Sequence, residues 1–489
     1  MARRGALTLL GLLALAAVPA SSSAAAPWST PIAIGPSTPC AATVAYGNAG
    51  AGIVSWTPSC VSGPKRTRLA SASGAVLATL PRVPAAPLVA YGANRTALLR
   101  QRLLTSPTDF RHDSRTRIDI AFGRTDGSMA AARGIATIRN LEHLELTASP
   151  RGDLAVGWVE FRCRRSHEGE CEANRRILRV AIRRAGHAFS RPVTVASDRR
   201  FTAGALADTD PALAFNGKGD LVVAYSGRRG GTGASVVLAR VRRAGHGFGR
   251  TLVVGARRAT TDTAAAYADT GAIEVVWGTQ DGGEDANRPF VVRAARKAAG
   301  ARRFAAAQVL DHGGAIARPR GSVQVAITAA GVATAAWTQV LGKPVSGYPV
   351  RVATTGATGR FGAAATLAPL GAVDDLSLAA DGTALLVFGR ITTADPDQAA
   401  QVMAAVRATG APSFGAAEAI SDADQPSVAD GTFDPATGNV VVVWTARGTT
   451  PSQAAVGVRL ATRAAAAPAP LRAARLASTV HGRHHHCSR

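Results

Sequence analysis

Aromatic residues, lysine and long apolar runs are all scarce in this chain. Aromatics make up 5% of the 489 residues, and only four of the 56 basic residues are lysine. After the N-terminal leader no stretch of 18 uncharged apolar residues occurs, so the sequence predicts no transmembrane helix. The GxSxG, HExxH and P-loop motifs are also missing, and no catalytic class that depends on them is indicated.

The charge balance is strongly basic, with a formal net charge of +24. A surface of this sign attracts polyanions such as acidic glycans, anionic envelope polymers or nucleic acid. The alternative is a solvated basic surface that reflects only the arginine-rich codon usage of a GC-rich bacterial genome.

Residues 1–26 have the features of a secretory signal peptide. Arg3 and Arg4 precede an apolar stretch at residues 5–18, and small residues follow through Ala26. The apolar stretch is too short for a stable membrane span. We therefore expect a secreted protein without a membrane anchor.

Five cysteines suit an oxidising compartment. Cys40 with Cys60, and Cys163 with Cys171, form two short-range pairs that we predict as disulfides. Cys487 lies beside three histidines in residues 463–489, a basic tail rich in Ala, Pro, Arg and His that we predict to be disordered. We predict no metal site and no cofactor.

One sequence pattern recurs along nearly the whole chain. Around each recurring aromatic lie four short apolar segments, which we name strands A to D and which are separated by Gly, Asp, Asn and Pro. Two weaker repeats precede the others, and Trp56 belongs to one of them. The aromatics close strand B and are spaced 51 to 67 residues apart: Trp158, Tyr225, Trp277, Trp337, Phe388 and Trp444.

Four antiparallel strands per repeat indicate an all-β fold, a single β-propeller. We predict eight blades over residues 27–462, with a seven-bladed ring as the alternative. Residues 28–34 match strand D, whereas the last repeat has no D strand of its own. The N-terminal strand is therefore predicted to complete the last blade and close the ring, which protects two strand edges.

Loop lengths differ between the two faces of the predicted ring. The A–B and C–D turns are short, whereas the B–C loops are long and dissimilar. Because binding residues concentrate on variable loops held by a rigid scaffold, we predict a ligand site on the face with the B–C and D–A loops. The alternative is drift in unconstrained loops. The predicted binding residues follow strand B: Arg228, Gln280, Gln339, Arg390 and Arg447.

Other polar residues recur at fixed places in the repeat. Aspartates near the start of strand A favour turns shaped by Asx hydrogen bonds over cation binding. His187 and His246 fall in C–D turns and are interpreted as surface turn residues. The aspartates are Asp208, Asp210, Asp262, Asp374, Asp375, Asp422 and Asp424.

The four-stranded repeat resembles that of secreted bacterial propellers of the sialidase-like, BNR-repeat group. That family has a Ser-x-Asp-x-Gly-x-x-Trp turn in its C–D hairpins, where this chain has Arg-x-x-Gly-x-x-Phe, as at residues 183–189. The resemblance implies a propeller, and glycoside chemistry with three arginines, a tyrosine and a glutamate. Tyr348 is the one tyrosine clearly in a B–C loop, and Glu160 is the better placed strand-B acid, ahead of Glu274.

Two classes of function follow. The first is a non-catalytic binding or scaffold protein of the cell exterior that recognises a glycan, an anionic polymer or a protein through the B–C face. The second is a sialidase-like glycoside hydrolase or lyase with a site at the centre of that face. We expect a monomer.

Overall fold

The computed structural model is a ring of eight β-sheets. It describes the following residues: 26–36, 42–56, 66–81, 88–105, 114–163, 166–167, 170–171, 174–198, 211–228, 235–255, 263–280, 289–315, 323–339, 347–391, 399–421, 426–446 and 457–465. This part of the chain consists of strands and the turns that join them, without an α-helix.

The strands of the first half of the chain form a terminal strand and three blades. They are β1 (Ile32–Pro36), β2 (Ala42–Tyr46), β3 (Gly52–Trp56), β4 (Arg66–Ser71), β5 (Val76–Pro81), β6 (Leu88–Tyr91), β7 (Arg95–Leu103), β8 (Arg115–Arg124), β9 (Arg133–Arg139), β10 (Leu141–Ala148), β11 (Leu154–Cys163), β12 (Ser166–His167), β13 (Glu170–Cys171), β14 (Asn174–Arg183) and β15 (Val193–Asp198). β12 and β13 form a small hairpin outside the blades.

The remaining strands form blades four to eight. They are β16 (Ala212–Phe215), β17 (Leu221–Arg228), β18 (Ser235–Arg242), β19 (Leu252–Gly255), β20 (Thr263–Tyr267), β21 (Ile273–Gln280), β22 (Pro289–Lys297), β23 (Gln308–Ala315), β24 (Gln324–Ile327), β25 (Ala333–Thr338), β26 (Val350–Thr354), β27 (Ala365–Ala368), β28 (Ala372–Leu378), β29 (Ala384–Ile391), β30 (Ala399–Arg407), β31 (Glu418–Ala419), β32 (Pro426–Phe433), β33 (Val440–Ala446) and β34 (Gly457–Arg463).

Each blade is a four-stranded antiparallel sheet with strand A innermost. The strands follow chain order in seven blades, and in the last blade the fourth strand is β1. The eight A strands contact one another in sequence around the axis, and the last contacts the first. They are β2, β6, β10, β16, β20, β24, β28 and β32. The eight-bladed propeller predicted from the repeat is confirmed.

The N-terminal strand closes the ring, as predicted. β1 pairs with β34 as the fourth strand of the last blade, with Ile32 opposite Leu460. Just before β1, the backbone N–H of Ser29 donates to the carbonyl of Thr462 at 2.8 Å. β1 starts and ends later than the predicted segment 28–34. Its pairing with β34 continues past a register shift between Ala33 and Gly35.

The core consists of one hydrophobic cluster at each of the eight interfaces between neighbouring blades. The strand-B aromatics all lie in this core and are packing residues. Trp277 and Trp444, for example, have no exposed surface. A propeller therefore holds together through blade-to-blade packing, and each blade depends on both of its neighbours.

The A–B and C–D turns are built on glycines with positive φ. Every A–B turn contains one, as does the C–D turn of each of the first seven blades. Gly219 and Gly245 in the fourth blade have φ values of 80° and 85°. This region is costly for residues with a Cβ atom. The uniform turns predicted for one face therefore have a common backbone cause.

Several sequence predictions fall outside the described residues. These include most of the leader, the tail after residue 465, Cys40, Cys60 and Cys487. Cys163 and Cys171 end β11 and β13, but their side chains are not described. Within the described residues, no helix has the length and apolar character needed to span a membrane.

Candidate functional site

Acidic side chains link neighbouring inner strands around the axis. Glu145 Oε1 on β10 accepts a hydrogen bond from Leu213 N on β16 at 3.1 Å. Asp430 Oδ2 on β32 accepts from Val44 N on β2 at 2.8 Å. Because each A strand is the inner edge of its sheet, some of its N–H groups have no ladder partner. Glu145 and Asp430 supply that partner across blade boundaries.

An axial pocket of about 290 Å³ lies between the inner strands of blades three to six. Its lining residues lie towards the starts of β10, β16, β20 and β24 or directly precede those strands. Strand A starts at the face that carries the D–A and B–C connections, so the pocket lies towards that face. This is the face on which the sequence predicts a ligand.

The described lining of the axial pocket is polar but contains no lysine or arginine. Its polar side chains are His143, Glu145, Thr263 and Gln324. The Thr263 hydroxyl is buried and has no hydrogen-bond partner among the described residues. A buried hydroxyl in this state is rare in folded proteins and is satisfied when a ligand or water enters. The lining therefore suits an uncharged, hydroxyl-rich molecule.

Three aspartates lie on the opposite side of the ring. Asp374 and Asp375 are inside β28 rather than in a turn, and Asp430 is on β32. Burial is the main cause that raises the pKa of all three carboxyl groups. Repulsion from Asp375 and Asp430 raises the pKa of Asp374 further, well above its usual range. Both causes favour the neutral, proton-carrying form of Asp374.

Asp375 has more partners than Asp374. Its Oδ2 accepts a hydrogen bond from Ser377 Oγ at 2.9 Å, and backbone N–H groups of Leu376 and Gly431 also donate to it. Gly431 belongs to the next blade, so Asp375 links β28 to β32 as Asp430 links β32 to β2.

The five predicted binding residues have different surroundings. Gln339 is buried, and its Nε2 donates to Asp311 Oδ1 at 3.0 Å and to the His312 carbonyl at 3.4 Å. Arg390 is exposed and its Nη1 donates to Gln401 Oε1 at 3.4 Å. Arg228 and Gln280 end strands β17 and β21 with side chains that are not described, and Arg447 lies outside the described residues.

The two strand-B acids named in the sequence analysis form ion pairs within their own blades. Glu160 is buried and lies 3.1 Å from Arg179 Nε. Glu274 is buried and lies 3.4 Å from Arg296 Nη1. Burial raises the pKa of Glu274 to about 8, although Arg296 opposes this shift. Tyr348 is also buried.

Sequence reasoning missed His143, Glu145 and Gln324. All three interrupt A strands that are otherwise largely apolar, as in the segment LEHLELTA of β10. Polar residues at alternate positions of an inner strand were the available signal. Across the described residues, no group of three His, Cys, Asp or Glu side chains is arranged to hold a metal ion.

No family model and no curated protein matches this chain. Solved structures similar to it include an α-L-arabinanase of Penicillium chrysogenum bound to arabinobiose, at 12% identity and a TM-score of 0.38, covering 75% of this chain and 90% of that one. A Hadza microbial sialidase is 11% identical with a TM-score of 0.36, and 73% and 74% of the two chains are covered.

A third similar structure is the β-propeller domain of the Trilobed protease of Pyrococcus furiosus. It is 10% identical with a TM-score of 0.36, and the match covers 82% of this chain and all of that one. Similarity at this level carries no argument about function.

Proposed function

We propose that this chain is a secreted carbohydrate-binding β-propeller of the sialidase-like group, and that the axial pocket is its binding site. The observation that carries the proposal is the polar pocket at the centre of the ring, whose described lining has no cation. Sugars are bound through several hydroxyl contacts to His, carboxylate, amide and hydroxyl groups. His143, Glu145, Thr263 and Gln324 supply these four types.

The size of the pocket limits the ligand. A volume of about 290 Å³ is at the lower end of small-molecule sites, which favours one or two sugar units held at the axis. The remainder of a longer glycan would extend over the B–C face, where Arg390 is exposed. The predicted residues Arg228, Gln280, Gln339 and Arg447 remain proposed contributors on that face.

A glycan-binding screen of the purified chain at low and at physiological salt tests this function. We expect binding to neutral glycans that persists at physiological salt, because the pocket lining offers hydrogen bonds rather than cations. Gln324→Ala should weaken binding about tenfold, the usual value of a lost polar contact. Asn48→Ala, which removes an exposed amide from an A–B turn on the opposite face, is the matched control. Absence of any neutral-glycan binding, or equal loss in both variants, contradicts the proposal.

Glycoside hydrolysis is the second candidate, favoured by the raised pKa of the Asp374 carboxyl group on the inner strand β28. In an eight-membered ring the seventh blade lies opposite the third, which carries Glu145. One carboxyl group that keeps its proton and a second that ionises are the pair such hydrolysis requires. Release of reducing sugar that is abolished in both Asp374→Asn and Glu145→Gln would favour this candidate. Binding without turnover would leave the non-catalytic function.

A further inference from the structure

A second and larger cavity opens on the face opposite the axial pocket. It has a volume of about 880 Å³ and lies between blades four and five, among their A–B and C–D turns. We call it the turn-face cleft. Five cationic side chains line it: Lys218, Arg243, Arg250, Lys297 and Arg302. Two carboxylates, Asp220 and Asp269, also belong to the lining.

The two carboxylates of the turn-face cleft are already used by the turns. Asp220 Oδ1 accepts from Ala244 N at 2.8 Å and its Oδ2 accepts from Asn216 Nδ2 at 3.2 Å. Asp269 Oδ1 accepts from Gly217 N. Among the described residues, none of the five cations forms an ion pair with a carboxylate. With five cations and two carboxylates, the described lining of the cleft carries an excess of positive charge.

Like charges are held close together in the cleft. Lys297 is half-buried, and burial followed by repulsion from Arg243 lowers the pKa of its ammonium group. Arg250 Nη2 donates to the Arg302 carbonyl at 3.4 Å, which brings a cation of the fourth blade beside the fifth. Such crowding is unfavourable until an anion binds, and it is a feature of functional sites more than of ordinary surface.

The neighbouring groove, between blades three and four, is built differently. Arg151 Nη1 donates to the Lys218 carbonyl at 2.8 Å and so bridges that groove. Lys218 occupies the same position in the A–B turn of blade four as Arg151 does in that of blade three. The Lys218 side chain, however, lines the turn-face cleft. The two neighbouring interfaces thus place equivalent turn residues differently.

The C–D turns of these blades differ at two small residues. Blade three has the sequence RRAGHAFSR and blade four has RRAGHGFGR, so Gly247 and Gly249 replace Ala188 and Ser190. The Ser190 hydroxyl accepts from Ile182 N at 3.2 Å. In blade four both glycines line the cleft, and a Cβ atom at Gly247 would project into open space. Loss of two side chains widens the cavity where the cations converge.

We propose that the turn-face cleft binds a linear polyanion through phosphate-ester or sulfate-ester groups. Five separate cations across two blades match several charged groups along a chain better than a single anion. Guanidinium and ammonium groups both bind tetrahedral oxyanions, arginine through its planar fork and lysine as a point charge. This site is independent of the axial pocket and lies on the opposite face.

Titration calorimetry of the full chain at about 0.1 M salt, where long-range surface attraction is largely screened, tests the proposal. The two probes are inorganic tripolyphosphate and a sulfated heparin oligosaccharide, which distinguish phosphate from sulfate. We expect a defined stoichiometry with at least one probe. Lys218→Ala combined with Arg243→Ala should weaken binding at least about tenfold, since both lost contacts are charge-assisted.

The control must remove the same charge elsewhere. Arg133→Ala combined with Arg360→Ala removes two exposed arginines from blades two and six, and all four substituted residues are exposed, so the fold should persist in both double variants. An affinity change below about twofold in this control, with Gln324→Ala also unaffected, supports a site in the cleft. Equal losses of affinity in the two double variants would mean that the probe binds through the net charge of the protein and not through the cleft. That result, or no binding of either probe, overturns the proposal.

Discussion

Asp430 and Val44 join the last blade to the first. The carboxylate of Asp430 accepts a hydrogen bond from the backbone N–H of Val44 at 2.8 Å, although 386 positions separate the two residues in the chain. The bond lies at the inner edge of the ring, whereas β1 closes the same blade at its outer edge. The ring is therefore closed at both its inner and its outer circumference.

Removing the Asp430 carboxylate should weaken this closure. In Asp430→Ala the Val44 N–H loses its acceptor, and we expect a loss of about 1–3 kcal/mol in the free energy of unfolding. Asp430→Asn keeps an acceptor oxygen and should lose less. Chemical denaturation of both variants beside the unsubstituted chain measures the difference. Equal stability of the alanine variant and the parent would contradict the role of the bond.

The same pair predicts a pH dependence. Burial, and then repulsion from Asp375, raises the pKa of Asp430 above its unfolded value of 3.8. The unfolded chain releases this proton first, so the parent loses stability as pH rises from about 4 towards the raised pKa. Asp430→Asn has no proton to lose, and its melting temperature relative to the parent should increase over that window. A difference that stays constant from pH 4 to pH 8 would refute the shift.

Closure at the outer edge depends on Ile34. Its side chain is 4% exposed and packs with β33 and β34, whereas Ile32 in the same strand is 46% exposed. We expect Ile34→Ala to lower the free energy of unfolding by about 2–4 kcal/mol, because a buried cavity is left. Ile32→Ala is the matched control and should change it by less than about 0.5 kcal/mol. Similar losses in the two variants would show that β1 does not pack as described.

Asp311 should be a stabilising contact point between blades five and six. Its carboxylate accepts from Trp337 Nε1 and from Gln339 Nε2, each at 3.0 Å, and Arg351 Nε lies 3.4 Å away. Asp311→Ala removes the acceptor of Trp337 Nε1 and the ion-pair partner of Arg351, and it leaves Gln339 Nε2 with only the His312 carbonyl, so we expect a loss of about 2–4 kcal/mol in the free energy of unfolding. Thermal unfolding followed by tryptophan fluorescence measures it. Asp126→Ala, at an exposed turn, is the control, and its melting temperature should equal that of the parent.

The tyrosines of the folded protein should ionise at a higher pH than free tyrosine. Burial raises the pKa of Tyr46, Tyr91, Tyr225 and Tyr267, the last to about 12, and the chain has five tyrosines. Since the folded pKa exceeds the unfolded value of 10, stability is intact below about pH 10 and falls as pH rises towards 12. Tyrosinate absorbance should therefore increase together with unfolding. Ionisation of four tyrosines near pH 10 in folded protein would be the contrary result.

The architecture was predictable because each blade is a local unit. Period-two apolar segments, aromatic anchors and turn glycines recur within about 60 residues, so neighbouring sequence specifies which strands pair. The closing strand was also predictable, since the last repeat lacks strand D and the N-terminal segment supplies one. The register of β1 was not, because it depends on contacts with β34, more than 400 residues away.

The candidate sites were decided by tertiary structure alone. Glu145 and Asp430 contact inner strands of the next blade, and the turn-face cleft combines turns of two blades whose sequences differ from their neighbours by a few small residues. The sequence by itself determined the propeller, its closure and its basic charge, because these follow from local patterns and composition. Only the closed ring decided which polar residues face the axis and which cations converge, because those distances exist only between blades.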